Sequence, residues 1–162
     1  MSATDRSNGT IVDAAFGPTL TSTTSPTAVE INAMTRIECG IVDGPNAPRT
    51  GSTVDITGLC DEESRKKRGT TDNGDITITM YREFDGTDAF WAAFDDATTT
   101  TQYLVISRGG FAAATAAATD VVDVYTVQML SREPSSPTRT ESQRFVATLA
   151  VVAPVDFDSV AA

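Results

Sequence analysis

Apolar and polar residues alternate with a period of two along much of this chain, most clearly over residues 75–81. There Ile76, Ile78 and Met80 fall on one side of the chain and Thr77, Thr79 and Tyr81 on the other. Alternation of this kind marks a strand buried on one face only. The same pattern predicts strands over residues 35–42, 52–57, 102–108, 121–130 and 142–152, the last two as antiparallel partners across the turn REPSSPTRTE. Asp72-Asn73-Gly74-Asp75 supplies residues that tolerate positive φ and bond back to their own backbone, so a tight reversal into the strand at 75 is expected. A helix is expected over residues 87–97. Thr87 or Asp85 caps it, Asp88 sits in its first turn, and Phe90, Trp91 and Phe94 form a stripe that docks on the sheet.

The remaining segments read as connections. Residues 1–34 are rich in Ser and Thr and are expected to form an N-terminal arm, either disordered or ordered only against a neighbouring subunit. Residues 35–162 form the domain. GPNAPRTG is a loop, and GLCDEESRKKRG places three acids before four bases. If that run makes a helical turn, Asp61, Glu62 and Glu63 each stand four residues before Arg65, Lys66 and Lys67, the favourable order for ion pairs, with Gly58 and Gly69 bounding it. FAAATAAATD is short for an Ala-rich helix and is read as a packed loop. Pro154 ends the last strand, and residues 154–162 are a C-terminal segment packing on its own domain or on a neighbour. The expected class is mainly β: two packed antiparallel sheets or a partly closed β-sandwich-barrel, with one short α-helix, a long loop and terminal arms.

At 162 residues the chain is the size of one domain, and its apolar and charged fractions, 40% and 21%, are those of a globular protein. The longest apolar stretch, residues 145–155, is interrupted by Thr148 and Pro154 and is far short of a membrane span, so no membrane binding by this chain is expected. The N-terminal residues lack the pattern of a secretory signal. The net charge is −10, which argues against duplex binding through phosphate neutralisation. Histidine is absent, removing Ser-His and Cys-His nucleophilic schemes and His-containing zinc sites together. No catalytic group, cofactor or metal site is nominated. Asp95 and Asp96 read as a solvated helix end, and the calcium-loop spacing around Asp72 and Glu83 fails at Ile76, which cannot coordinate. Cys39 reads as a small core residue and Cys60 as a loop residue, both reduced.

The order of these elements, a charged loop, the strand GDITIT, the helix DGTDAFWAAFDD, then QYLVISR and DVVDVYTVQML, resembles the major tail tube proteins of long-tailed bacteriophages with non-contractile tails. The resemblance runs over residues 37–160. It implies a structural, non-enzymatic virion protein, assembled in the host cytoplasm, whose hexameric rings stack into the conduit for genome ejection. It implies as partners other copies of the chain, a tape measure protein, tail tip and terminator proteins, and DNA in non-specific transit. Residues 43–73 then correspond to a long stacking loop, with Asp61, Glu62, Glu63, Arg65, Lys66, Lys67 and Arg68 as inter-ring contacts. The polar strand faces supply Thr77, Thr79, Asp123, Ser142, Arg144 and Thr148 as candidates for the lumen wall. Competing readings are a tail terminator, a capsid decoration protein, a receptor-binding module, or the inner tube of a contractile tail or type VI system.

Overall fold

Half of the strand pairings among the described residues join consecutive strands and half join strands that are not consecutive. The computed structural model describes residues 13–57, 63, 65–82, 88–111, 113, 115–136 and 139–162. In chain order the elements are β1 (Asp13–Gly17), α1 (Ala28–Ala33), β2 (Thr35–Arg36), a 3-10 turn (Glu38–Gly40), β3 (Ile41–Asn46), β4 (Arg49–Asp55), β5 (Lys66–Asn73), β6 (Ile76–Tyr81), α2 (Ala89–Ala93), β7 (Gln102–Ser107), β8 (Val121–Pro134), β9 (Arg144–Val151) and β10 (Asp156–Val160). All strand pairs are antiparallel. The main sheet has the order β2-β1-β7-β8-β9-β6-β3, with β10 also on β8, and β4-β5 form a separate two-stranded ribbon. The fold is the mainly β, antiparallel architecture that the alternation predicts.

Burial follows the period of two. In β6, Ile76, Ile78 and Met80 are fully buried, and in β9 Phe145, Ala147 and Leu149 match them. These side chains join Ala14 and Phe16 of β1, Leu104 and Ile106 of β7, and Tyr125, Val127 and Met129 of β8 in one core. Phe94, at the end of α2, closes it. Its ring stacks on Phe16 at 4.4 Å and meets Phe145 edge-on at 6.2 Å. Phe16 and Phe145 come from strands that β7 and β8 separate in the sheet, so the sheet must fold around α2 for both to reach one ring.

The opposite face of β1, β7 and the first half of β8 carries a second core, in which Ala15, Val105, Val122 and Val124 meet Ile31 of α1, its C-cap Met34, and Phe111 and Ala116 from the loop between β7 and β8. Residues 13–34, which read as part of an arm, therefore hold a strand of the main sheet and a helix that covers it. The loop reading of 111–120 holds over its described residues.

Other boundaries also differ. The strand expected over 35–42 is broken by the 3-10 turn, which buries Ile37 and Gly40 and leaves Cys39 exposed rather than in the core. Helix α2 is shorter than 87–97, and Asp88 is its N-cap, accepting from Trp91 N at 2.9 Å; Asp85 and Thr87 lie outside the described residues. β8 runs on to Pro134, well into the expected turn. The C-terminal segment is a strand of its own domain's sheet.

Helix α1 has a capping box. The Thr27 hydroxyl accepts from Glu30 N at 3.3 Å, and the Glu30 carboxylate accepts from Thr27 N at 3.2 Å. The same carboxylate accepts from Thr21 N and from the Thr21 and Thr27 hydroxyls. These bonds, the Thr21 hydroxyl's first, hold its pKa down at about 2 from an ordinary 4.5. A carboxyl depressed on folding stabilises the fold above its ordinary pKa and loses that contribution as pH falls through the folded value. Carbon-detected NMR titration is expected to give Glu30 a midpoint near 2; a midpoint near 4.5 refutes the box.

Candidate functional site

The chain from Ile41 leaves the body along β3 and β4 and returns along β5 and β6. β3 pairs with β6 through Ile41↔Met80, Asp43↔Thr79 and Asn46↔Thr77. β4 pairs with β5 from Arg49↔Asn73 out to Asp55↔Lys66. The four strands thus make one long hairpin with a corner at residues 47–48 and 74–75, where Gly74 N donates to Pro48 O at 2.9 Å. Asp72-Asn73-Gly74-Asp75 is not the expected reversal, because β6 continues the return path of β5.

Beyond its root at Arg49 and Asn73, no described residue of the ribbon belongs to either core. Every residue of β4 is exposed. Val54 and Ile56, two residues apart, are each 52% exposed on one face of the ribbon. Val54 lies opposite Lys67, so an apolar and a cationic group share one face, while Thr53 opposite Arg68 and Asp55 opposite Lys66 lie on the other. The helical turn expected over 61–68 does not form across its described part, since Lys66–Arg68 begin β5. Glu63, Arg65, Lys66, Lys67 and Arg68 are all exposed. Asp61, Glu62, Gly58 and Cys60 lie outside the described residues. Arg65 N donates to the Thr57 hydroxyl at 2.9 Å, and Arg68 donates to the Thr71 hydroxyl at 3.0 Å. The acid-base spacing suggested a helix, but pairing with a strand more than ten residues away decides the conformation.

The second surface is the outer face of β6 and β9. Cross-strand pairs Thr77↔Thr148, Thr79↔Val146 and Tyr81↔Arg144 place four of the six candidate wall residues on it. Glu133, opposite Val146 on β8, is a diagonal neighbour of Arg144, and the Arg144 guanidinium lies 5.9 Å from the Tyr81 ring centroid. Ser142 is exposed in the turn before β9. Asp123 is elsewhere. It is 6% exposed, on the side of β8 that carries Tyr125 and Val127, and accepts from Arg108 Nε at 2.8 Å and Asp158 N at 3.1 Å. The hydrogen bond from Arg108 to Asp123 raises the Arg108 pKa further. Arg108, Asp120, Asp123 and Asp158 line a cleft of about 330 Å³, in which each Asp123 oxygen already accepts one hydrogen bond from the protein.

Two strand edges flank this face. β3 pairs with β6 alone among the described residues, and β7 reaches only as far as Val127 on β8. Residues 128–134 of β8 thus have no strand partner on that side among the described residues, and Leu130 is 52% exposed there. β3 is irregular. Gly44 has φ +93°, and a Cβ on it would sit 2.7 Å from Thr77 O.

Asp95 and Asp96, expected to be a solvated helix end, pair with Arg132 at 3.4 and 3.2 Å. Arg132 also donates to Trp91 O at 2.6 Å, and its guanidinium and that of Arg82 lie 4.2 and 3.9 Å from the Trp91 ring. These contacts fasten α2 and are structural. Among the described residues no cluster of three or more His, Cys, Asp or Glu could hold a metal, and no helix is long and apolar enough to cross a membrane.

Comparison with known proteins agrees with this picture. No curated protein matches the sequence. Among solved structures, a chain in the cryo-EM structure of the anti-feeding prophage baseplate, six-fold symmetrised, superposes with a TM-score of 0.60 at 10% identity, covering 96% of this chain and 95% of that one. At that identity the likeness is one of fold. The family model for phage tail tube protein matches residues 4–162. With its exposed hairpin and its sheet face, this chain belongs to the phage tail tube proteins, structural components of the virion tail.

Proposed function

We propose that this chain forms hexameric rings that stack into the tail tube, the conduit through which the genome leaves the virion. The observation that carries the reading is the β4-β5 ribbon. A two-stranded ribbon is marginal in water by itself, and this one holds Val54 and Ile56 in the open. Both facts are accounted for when the ribbon lies against the next ring. Arg65, Lys66, Lys67 and Arg68 then meet acidic groups of a chain whose net charge is −10, with Asp61, Glu62 and Glu63 as the anionic half of the contact.

Within a ring, β3, β6, β9 and the second half of β8 supply four strands per subunit, and the edges of β3 and β8 meet between neighbours. Pro45 has no amide donor, which confines the joining ladder on β3 to its Ile41–Asp43 end. Six copies give a wall of about 24 strands, about 48 Å across the backbone for strands tilted near 40°. That leaves a bore wide enough for duplex DNA and for a tape measure protein. Six-fold symmetry is also that of the baseplate structure containing the similar chain. Thr77, Thr79 and Thr148 line the bore with hydroxyls, and Glu133 stands beside Arg144, so the wall offers no cationic surface to retain phosphates. Following the resemblance of residues 37–160, the tail is non-contractile; terminator and tip proteins cap the tube.

The test uses the chain's lysines, of which there are only two, Lys66 and Lys67. Negative-stain microscopy over a concentration series is expected to show rings and hollow tubes. Carbodiimide coupling in the tube fraction is expected to join Lys66 or Lys67 to carboxylates of another copy. Closed rings that never stack point to a terminator, and a chain monomeric at every concentration overturns self-assembly.

A further inference from the structure

The ribbon leaves the body through a corner two residues long on each strand, with a single backbone hydrogen bond, Gly74 to Pro48, across it. Nothing beyond Arg49 on β4 is buried, so its direction depends on what its root touches. Pro48, Arg49 and Gly74 at the root face Tyr125, Val155 and Phe157 around a void of only about 20 Å³. The Arg49 guanidinium lies 5.3 Å from the Phe157 ring, which meets Tyr125 edge-on at 6.1 Å.

Phe157 is held there by an irregularity in β10. Asp156 pairs with Val124 and Ser159 with Val122, so β10 carries one residue more than β8 across this interval. The extra length is absorbed by Asp158, in the left-handed region at φ +53°, whose amide donates to Asp123. Arg108 bridges the other Asp123 oxygen to the Tyr125 hydroxyl, at 2.8 and 3.3 Å. Buried Asp123 thereby fixes both the bulge and the ring that Phe157 rests on.

We propose that the C-terminal strand is a brace that sets the direction of the β4-β5 ribbon, with Phe157 as its contact and Asp123 as the residue that positions Phe157. Its value to assembly rests on the ribbon being the contact between rings, but the brace itself can be read on a single chain. Spin labels on Cys39, exposed on the body, and on Thr53→Cys in the ribbon, with Cys60→Ser, report the direction as a distance distribution. The parent is expected to give one narrow peak. Phe157→Ala is expected to lose that peak to a broad distribution, Phe157→Tyr to keep it, and Arg49→Ala, altered on the ribbon side, to broaden it as well. An unchanged narrow peak in both alanine variants overturns the brace. In the native-cysteine background, Phe157→Ala is also expected to raise the concentration needed for tube formation about tenfold, the effect of losing one cation–π and one aromatic contact. If the parent forms no tubes, the ring reading fails while the distance distributions still judge the brace.

Discussion

Phe94→Ala is expected to lower the free energy of unfolding by about 3–5 kcal/mol, the range for removing a large aromatic ring from a core that collapses only partly. Phe94 is fully buried and touches Phe16 and Phe145, which lie on strands not adjacent in the sheet. Its loss opens a cavity and also removes the side chain around which the sheet folds. Helix α2 has five residues and no stability of its own, so its neighbour Trp91 cannot take over. Trp91 is only partly buried, and its two guanidinium contacts are worth about 1 kcal/mol each at a partly solvated site. Phe94→Leu, which keeps most of the volume, is expected to cost well under half as much. Urea denaturation decides the matter: a loss below about 1 kcal/mol for the alanine variant means that the two halves of the sheet are held by contacts other than this ring.

The parts of the fold legible in the sequence are those where one strand face meets the core and the other meets solvent. β6 reads correctly because Ile76, Ile78 and Met80 are all fully buried while Thr77 and Tyr81 are exposed and Thr79 is only half-buried. Helix α1 was hidden by its setting in a Ser- and Thr-rich stretch, although Thr27 and Glu30 carry the capping-box spacing and Ile31 follows at once. Cys39 looked internal because its neighbours are apolar, and only the 3-10 turn puts it outside. Charge spacing misled at residues 66–68, the described part of that run in β5, for a different reason. Ion pairs at four-residue spacing stabilise a helix by tenths of a kcal/mol, while the ladder with β4 contributes several backbone hydrogen bonds, and that partner is invisible to local periodicity.

Candidate-site legibility followed the same division. Thr77, Thr79, Arg144 and Thr148 share a face because strand alternation and antiparallel register bring them there. Asp123 is a candidate because the strand over 121–130 has one mixed or polar face. Its place on β8 is on the side of Tyr125 and Val127, where a carboxylate is retained only because Arg108 and the Asp158 amide satisfy it. The role of Phe157 had no sequence signal, because it depends on a bulge and on an arginine more than a hundred residues earlier.

Replacing residues 50–72 by Asn-Gly is expected to leave the body's stability within about 1 kcal/mol of the parent while abolishing stacking of rings. Arg49 and Asn73 are directly paired across the ribbon, so a two-residue turn of the kind Asn-Gly favours closes the shortened hairpin without moving its root. The deleted part of β4 buries nothing in the isolated chain, no described residue from 50 to 72 belongs to either core, and the main sheet retains every strand. What disappears is the only element among the described residues that carries exposed apolar groups and a cluster of cations away from the body. Reversing Lys66 and Lys67 to glutamate is a milder version of the same change. It keeps the ribbon and its apolar residues, so it is expected to weaken stacking rather than remove it, and to do so less at high salt, where the ionic part is screened. Melting curves and electron micrographs of the shortened chain separate the two possible roles. A stable chain that forms rings but no tubes assigns stacking to the ribbon; tubes of normal length without it mean that successive rings are joined by other surfaces, and the ribbon's exposed valine and isoleucine then need a different explanation.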